Sequence, residues 1–530
     1  MAEPLPSDRI ARLEVEGAWH QALAELSAQL RSGAAVEAER LHLMGRLLQR
    51  LARWECSRRA YLRALSLDPQ RPATFNNLAL LELAQLDAEQ AECWLKQGLH
   101  QCRLSDHEAE LLHATACDLY LFRLQPERAL EHVQRQLQRS ISVMALANRA
   151  ICHHRLGLLE QALCDQQQAL QLHLRQVAPD WLHHPAPQLV GRRLAELQPT
   201  CLLQQLLLNL GVYRLLLHPG DAEGLALLMA SQFNELPHWL NAHRLDTRWQ
   251  GEPTPDLILW DDQGFGDSIQ NLAWLPDAAA RCGRVRLWLR PALMALVEER
   301  LSLPANVLVQ ELPDQAQPWA QGVPQLGLFY VPMVLRQWPD PAASARTPWL
   351  RRLHVLPAGS QAPRRVGLVW SAGRHRAPQP ERCARERDVP FDQLWTHALG
   401  WRQRHGLELI SLQLEGHDGP TVVHHIEAGL LQVGLQSPNW LATARCLDGL
   451  DLVVSVDTSV AHLAGAMGIP CVLLLGAPAE WRWGQRGTTT PLYSCMHLAR
   501  CSHRADWPSA LNQADQYLEE ILAMPPGQPC

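Results

Sequence analysis

The sequence predicts a helical array followed by two α/β domains, each built on a parallel sheet. Three observations lead there. From Ile10 to about His243 the chain is rich in Leu, Ala, Gln, Arg and Glu at helical spacing, with almost no β-branched runs. Within that region a pattern of small and large residues recurs at a period of about 34 residues. Beyond Gly251, short β-branched runs alternate with helical ones, the order expected of strand–helix–strand units. A chain of 530 residues is too long for one core, so two or three domains are expected.

Composition narrows the function classes. Hydrophobic residues are 47% and charged residues 19%, a globular balance. The formal net charge is −6 at pH 7, so bulk electrostatics makes no case for nucleic acid as a partner. Lys96 is the only lysine, and a positive charge carried almost wholly by arginine suits bidentate contacts to phosphate or carboxylate. The opening residues, MAEPLPSDRI, lack the basic-then-apolar pattern of a signal peptide. No uncharged apolar run is long enough for an integral membrane segment. The 14 cysteines form no CxxC pair and no metal-ligand spacing, and read as buried thiols of a reducing, cytoplasmic compartment.

In the helical region, Arg58–Leu65 is followed by a break at Asp68-Pro69, and Ala91–Leu99 repeats its pattern one period later. Asn77–Leu99 is matched by Asn148–Leu170 at an offset of two periods plus a short insertion. Asn209-Leu210-Gly211-Val212-Tyr213 followed by Gly220-Asp221-Ala222-Glu223-Gly224 has the form of one more unit. This period, with small residues where paired helices touch and Pro after the second helix, resembles the tetratricopeptide repeat. One such unit cannot bury its own apolar face, so stacking would stabilise the array and form a concave surface for a peptide or partner protein. The plainer reading is a spacer or dimerisation surface.

Gly251-Glu252-Pro253-Thr254-Pro255 reads as a linker. Leu257–Trp260 is a short apolar strand, and Asp261–Asp267, DDQGFGD, is a glycine-bearing turn into a helix. Its glycines let backbone N–H groups approach a ligand. Asp267 either caps that helix or aims a carboxylate into a cleft. Val285–Leu289, Pro291–Leu301 and Val307–Val309 continue the alternation. Pro313–Pro363 is less regular, and Val366–Trp370 is a fresh strand followed by an Arg-rich loop with Arg374 and Arg376. Leu409–Leu412 is the next strand, ending at Gln413, and Gln513–Leu522 reads as a closing helix.

The stretch Leu452–Gly476, LVVSVDTSVAHLAGAMGIPCVLLLG, is a compact strand–turn–helix–strand unit. Leu452–Val456 is a buried strand, Asp457, Thr458 and Ser459 are good helix-start residues, Gly468 suits a C′ position, and Cys471–Leu475 is the second strand. Free N–H groups at such a helix start suit a phosphate. His462 falls on the same face as Thr458, where it either serves the turn or packs beneath a loop.

Gln263–Gln270, QGFGDSIQ, resembles the QGLGDTIQ motif of glycosyltransferases related to bacterial heptosyltransferases, in their tetratricopeptide-linked branch. Val456–Ala466, VDTSVAHLAGA, is similar to that family's other signature almost residue for residue, and Trp481-Arg482-Trp483 falls in the family's order. The resemblance covers about residues 255–525. It implies a tetratricopeptide-like α-solenoid at 1–245, a Rossmann-like acceptor-side domain at 246–355 and a Rossmann-like donor-side domain at 356–530, a GT-B-like arrangement.

It also implies an inverting, metal-independent glycosyltransferase without a cofactor, taking a nucleotide-sugar donor and a protein or glycan acceptor. Asp267 aligns with the general base. Gln263, Gly264 and Gly266 would bind the donor through their turn, and Asp457, Thr458, Ser459 and His462 align with donor-holding residues. Arg374 and Arg376 would either neutralise the leaving diphosphate or form a solvated basic loop, and Gln413 would read the nucleobase or ribose. Asp261-Asp262 is only superficially a metal motif. The family's Gly-Asn-Pro is Ser371-Ala372-Gly373 here, and extra residues follow it, which favours an alternative: a non-catalytic repeat scaffold with a degenerate nucleotide-sugar site.

Overall fold

In the computed structural model of the chain, the helical spacing of the first half becomes antiparallel helix pairs. The structure describes residues 6–32, 37–177, 201–231, 248–315, 317, 320, 322–338, 346–353, 362–372, 387–413, 429–432 and 439–523. There are two compact units, Met1–Leu156 and Gly157–Cys530. The expected domain boundaries at 245/246 and 355/356 lie outside the described residues.

The first unit pairs α1 (Pro6–Val15) with α2 (Trp19–Arg31), α3 (Ala38–Arg50) with α4 (Trp54–Leu67), α5 (Pro72–Ala84) with α6 (Ala88–Gln101), and α7 (Asp106–Phe122) with α8 (Pro126–Arg139). Helix α9 (Val143–Arg155) packs on α8. The turn within each pair puts one residue in the left-handed region: Gly17 at φ 73°, Ala52 at 54°, Leu86 at 66° and Leu124 at 59°. Five positions after each comes a small residue, Ala22, Ser57, Ala91 or Ala129, with 0% exposure, where a larger side chain would push the paired helices apart. Gly45 serves the same end, since a Cβ there would lie 2.5 Å from the Tyr61 ring. The unit is a helical repeat that resembles the tetratricopeptide arrangement. The interval lengthens between Leu86 and Leu124, so the insertion read from the sequence falls there.

Polar side chains tie successive repeats. His42 Nδ1 lies 2.9 Å from Thr74 Oγ1, and Thr115 Oγ1 donates to Asn76 Oδ1 at 2.7 Å. The fourteen cysteines were expected to be buried, but Cys56, Cys93 and Cys164 are exposed, because they sit on outward faces of amphipathic helices.

The second unit begins with helices α10 (Leu159–Val177), α11 (Cys201–Leu217) and α12 (Ala222–Ala230). A four-stranded parallel sheet follows, in the order β3-β2-β1-β4: β1 (Thr254–Trp260), β2 (Cys282–Leu289), β3 (Val307–Glu311) and β4 (Gln325–Gly327). Helix α13 (Phe265–Asn271) follows β1, with α14 (Leu275–Ala279) beyond it, α15 (Pro291–Arg300) lies between β2 and β3, and α16 (Val331–Val334) follows β4.

The second sheet has seven strands in the order β10-β11-β9-β8-β5-β6-β7. They are β5 (Arg365–Val369), β6 (Glu408–Ser411), β7 (Leu430–Gln432), β8 (Leu452–Val456), β9 (Cys471–Leu475), β10 (Thr489–Thr490) and β11 (Tyr493–Arg500). All pairs are parallel except β10 with β11. Helices α17 (Phe391–His405), α18 (Trp440–Asp448), α19 (Ser459–Ala466) and α20 (Trp507–Ala523) complete the unit. Strands β8 and β9 are buried at every position, as their uninterrupted apolar sequences require.

Several expectations are corrected. The residues Pro313–Pro363 hold β4 and α16, which were not expected. Thr254 and Pro255 belong to β1 rather than to a linker, and the closing helix starts at Trp507, six residues before Gln513. Helix α19 ends as its sequence requires: Gly468 at φ 71° lets its own N–H reach Gly465 O at 3.1 Å and the Ile469 N–H reach Ala464 O at 2.9 Å, a Schellman motif. Among the described residues, no helix is long and apolar enough to cross a membrane.

Candidate functional site

Strand order locates the site. In the first sheet the chain runs β1, β2, β3 to one side and then returns to place β4 on the other side of β1. In the second it runs β5, β6, β7 to one side and returns to place β8 against the opposite edge of β5. Such reversals leave a crevice beyond the carboxyl ends of the two diverging strands, where ligands of open α/β sheets bind. DDQGFGD follows β1 at one reversal, and DTSVAH follows β8 at the other. The two turns touch. A Cβ on Gly266 would lie 2.6 Å from His462 Cδ2 and 3.3 Å from Ser459 Oγ, so only glycine permits this approach of α13 to α19.

In the first turn both leading carboxylates are engaged. Asp261 takes Arg290 Nε at 2.6 Å, Arg290 Nη2 at 2.8 Å and the Ser268 hydroxyl. Asp262 Oδ1 accepts the Phe329 N–H at 3.0 Å, which ties β1 to the segment after β4. Gln263 has φ 60°, and its carbonyl accepts Arg290 Nη2 at 3.1 Å. Asp267 Oδ2 accepts the Gly264 N–H at 2.9 Å, the capping role its position allows. Its Oδ1 lies buried 2.6 Å from Arg482 Nη1, an ion pair.

In the second turn Thr458 stands at the N-cap of α19 in extended conformation, and no side chain caps the helix. The Thr458 hydroxyl instead lies 3.1 Å from Ser455 Oγ. Ser459 opens the helix with its backbone N–H in the uncapped first turn. Asp457 Oδ2 is 3.7 Å from Arg387 Nη1, and the Asp457 carbonyl accepts from the same Nη1 at 3.3 Å. His462 is 4% exposed, with Nδ1 2.7 Å from the Tyr493 hydroxyl, Nε2 3.9 Å from Asp457 Oδ1 and Trp483 stacked at 5.3 Å.

These environments set the protonation states. Burial works to raise the Asp267 carboxyl, but Arg482, His462 and the Gly264 N–H outweigh it and hold its pKa below the ordinary carboxylate value. Burial, reinforced by Arg482, pushes His462 down to about 4, against the pull of Asp457 and Asp267. At neutral pH Asp267 is therefore a carboxylate and His462 a neutral imidazole. Burial raises Glu480, which shares Arg482 with Asp267.

Thus the structure brings Gly264, Gly266, Asp267, Asp457, Thr458, Ser459 and His462 together, with Gln263 in the same turn. Gln413 is at the end of β6, where its Oε1 accepts the Ser371 N–H at 3.2 Å and its Nε2 donates to Ser371 O at 3.1 Å. Both ends of the amide thus join the ends of β5 and β6. Arg374 and Arg376 lie outside the described residues. Sequence reasoning gave no role to Arg482, Arg387, Glu480 or Tyr493. Trp481-Arg482-Trp483 was visible as a motif, but nothing in its spacing says that Arg482 reaches a carboxylate more than two hundred residues upstream. Among the described residues no group of three or more His, Cys, Asp or Glu converges as a metal site.

No protein-family model matches the chain, and no curated protein matches it. Among solved structures it is similar to Pseudomonas aeruginosa pilF, at 17% identity over 41% of this chain and 93% of that one, with a TM-score of 0.29. It is similar to a tetratricopeptide repeat protein from Parabacteroides merdae, at 16% identity over 43% and 93%, TM-score 0.28. YrrB, described as a TPR protein with an unusual peptide-binding site, is similar at 15% identity over 39% and 90%, TM-score 0.26.

Proposed function

We propose that the second unit is an inverting, metal-independent glycosyltransferase with two Rossmann-like sheets in a GT-B-like arrangement, and that the helical array presents its protein or glycan acceptor. The observation that carries this reading is the meeting of two glycine- and hydroxyl-bearing turns, each at the reversal point of its own parallel sheet, with the Asp267 carboxylate beside them. Exposed thiols at Cys56, Cys93 and Cys164 suit a cytoplasmic enzyme.

In this reading the uncapped first turn of α19 supplies N–H groups to the donor diphosphate, with the Thr458 and Ser459 hydroxyls beside them. Asp457 takes a sugar or ribose hydroxyl, since a carboxylate repels phosphate. Arg387 is partly exposed beside Asp457 at this turn, so it joins Arg374 and Arg376 as a cation for the leaving group. The acceptor hydroxyl oxygen bonds to the anomeric carbon from the face opposite the diphosphate. The carbon–oxygen bond to the diphosphate breaks, its electron pair leaves with the nucleoside diphosphate, and the hydroxyl proton passes to Asp267. A weakly basic carboxylate suffices because the hydroxyl becomes acidic only as the new bond forms.

A second reading has one observation in its favour. Asp267 already caps Gly264 and pairs with Arg482, so the repeat array with a nucleotide-binding but inactive α/β half is the alternative. The experiment is thermal stability of the full chain against UDP-, GDP-, ADP- and dTDP-sugars, with and without a chelator, followed by nucleoside diphosphate release. A ligand at a hundred times its dissociation constant adds about 2.7 kcal/mol to the folded form. Stabilisation by one nucleotide class with turnover that survives chelation supports the enzyme. Stabilisation without turnover, or no stabilisation by any donor, supports the scaffold.

A further inference from the structure

We infer that Arg482 is a positioning residue for Asp267, fixing the place and orientation of that carboxylate from the opposite side of the site. The catalytic consequence rests on the glycosyltransferase reading above; the ion pair itself does not.

The geometry is that of a shared, immobilised guanidinium. Arg482 belongs to the short 3₁₀ turn Trp481–Trp483 after β9, yet its Nη1 reaches 2.6 Å from Asp267 Oδ1 and 3.2 Å from Gln270 Oε1, both on α13. On its other edge Nε donates to Glu480 Oε2 at 2.8 Å, and the Arg482 backbone N–H reaches the same oxygen at 3.0 Å. The side chain is 11% exposed. Gln270 is fully buried, and its Nε2 has no partner among the described residues, so its orientation is set by Arg482. Three acceptors on two edges of one planar group require the arginine fork; an ammonium could not satisfy them together.

This arrangement restricts what Asp267 can do. Oδ2 is occupied by the Gly264 N–H, while Oδ1 is buried against Arg482 Nη1. The nearby positive charge keeps the carboxylate unprotonated and fixes its orientation. The other charged or titratable groups facing the pair are Glu480 beside Arg482, His462 on α19, Asp457 and Arg387 after β8 and before α17, and Tyr493 on β11. On the side of α13, Asp261 is neutralised by Arg290. Without Arg482, Asp267 would share a largely buried site with two other carboxylates, and protonation would relieve their repulsion.

The test uses the full chain with variants D267N, R482Q, R482K and D267N/R482Q. Thermal melts at neutral pH without ligand read the pair alone. R482Q should melt lower than wild type, and D267N should restore part of that loss because it removes the stranded charge. Strictly additive losses overturn the inference. Nucleoside diphosphate release from the donor that stabilises wild type reads the catalytic role. The acid limb of its pH profile should move up by about one unit in R482Q, a tenfold loss on that limb. R482K should keep the limb near its wild-type place and lower the plateau. A merely structural arginine would lower the melting temperature and leave the limb where it was, which overturns the positioning role. Should R482Q fail to fold, an unmoved limb together with an unchanged plateau in R482K overturns it equally. Rescue by D267N with no turnover of any donor by wild type would leave the ion pair standing and sink the glycosyltransferase reading together with the catalytic role.

Discussion

Gly266 and His462 stand in direct contact, backbone against imidazole edge, although the chain separates them by nearly two hundred residues. A methyl group at Gly266 would come within 2.6 Å of His462 Cδ2, and the ring cannot retreat because Trp483 stacks on it and Tyr493 holds its Nδ1. Gly266→Ala should therefore destabilise the second unit by about 1–3 kcal/mol, the usual cost of overpacking. Chemical denaturation would measure it. A variant as stable as wild type would mean that α13 and α19 are free to separate.

The same ring makes stability depend on pH. His462 has its pKa lowered from 6.5 to about 4, so protons bind the unfolded chain more readily than the folded one. Its neutral, buried form carries no penalty above about pH 6.5, and stability falls as the pH drops from there toward about 4. The loss attributable to this residue is on the order of 3 kcal/mol at the acid end. His42, His113 and His132 in the repeat unit are also lowered to about 4 by burial and act in the same direction. His462→Asn, which can keep a bond to Tyr493 without a titrating ring, should flatten the decline between pH 6.5 and 4 for the second unit. An unchanged slope would show that His462 contributes little to it.

How much of this was legible in the sequence follows from where each signal resides. Leu452–Val456 and Cys471–Leu475 are strands with the expected bounds, because a strand buried on both faces is written as an unbroken apolar run. Strand β11, YSCMHLAR, mixes polar with apolar residues, and β4 and β7 have only three residues each, so none of them leaves a periodic trace. Asp267 and His462 could be singled out because each belongs to a local turn with a recognisable composition. Arg482 could not be given its partner, since a long-range ion pair has no spacing rule. Gln413 shows the converse: its position at a strand end was legible, but its engagement with the Ser371 backbone is a matter of tertiary geometry.

The repeat unit offers a stabilising substitution. Gly17 fills the left-handed position of the first helix pair without strain, whereas Leu86 at φ 66° and Leu124 at φ 59° hold equivalent positions with a Cβ that crowds the following carbonyl. Leu86 is 43% exposed, so little packing is lost on its removal. Leu86→Gly should raise stability by up to about 1 kcal/mol, the strain relieved less the extra chain entropy of glycine. The midpoint of the repeat unit's unfolding transition would report it. A fall of similar size would mean that Leu86 packs more than its exposure suggests.

Arg300 on α15 and Asp448 on α18 form an ion pair in which both side chains are 1% exposed, joining a helix of the four-stranded sheet to one of the seven-stranded sheet. Arg300 Nη1 and Nη2 reach the two carboxylate oxygens at 3.0 and 2.8 Å, and Nη1 also donates to Arg351 O at 3.1 Å. The Leu353 N–H completes the set on Asp448 Oδ1 at 3.1 Å. Since every partner is in place, the pair orders the two sheets without necessarily adding net stability over a hydrophobic match. Removing one side is different, because it strands a charge where water does not reach. Asp448→Ala should cost about 3–5 kcal/mol, while the double replacement Arg300→Met with Asp448→Leu should cost far less than the single change. Denaturant unfolding of the single and double variants decides this. Equal losses in the two would show that the helices are held by their surrounding packing, and that the ion pair does not set the register of the sheets.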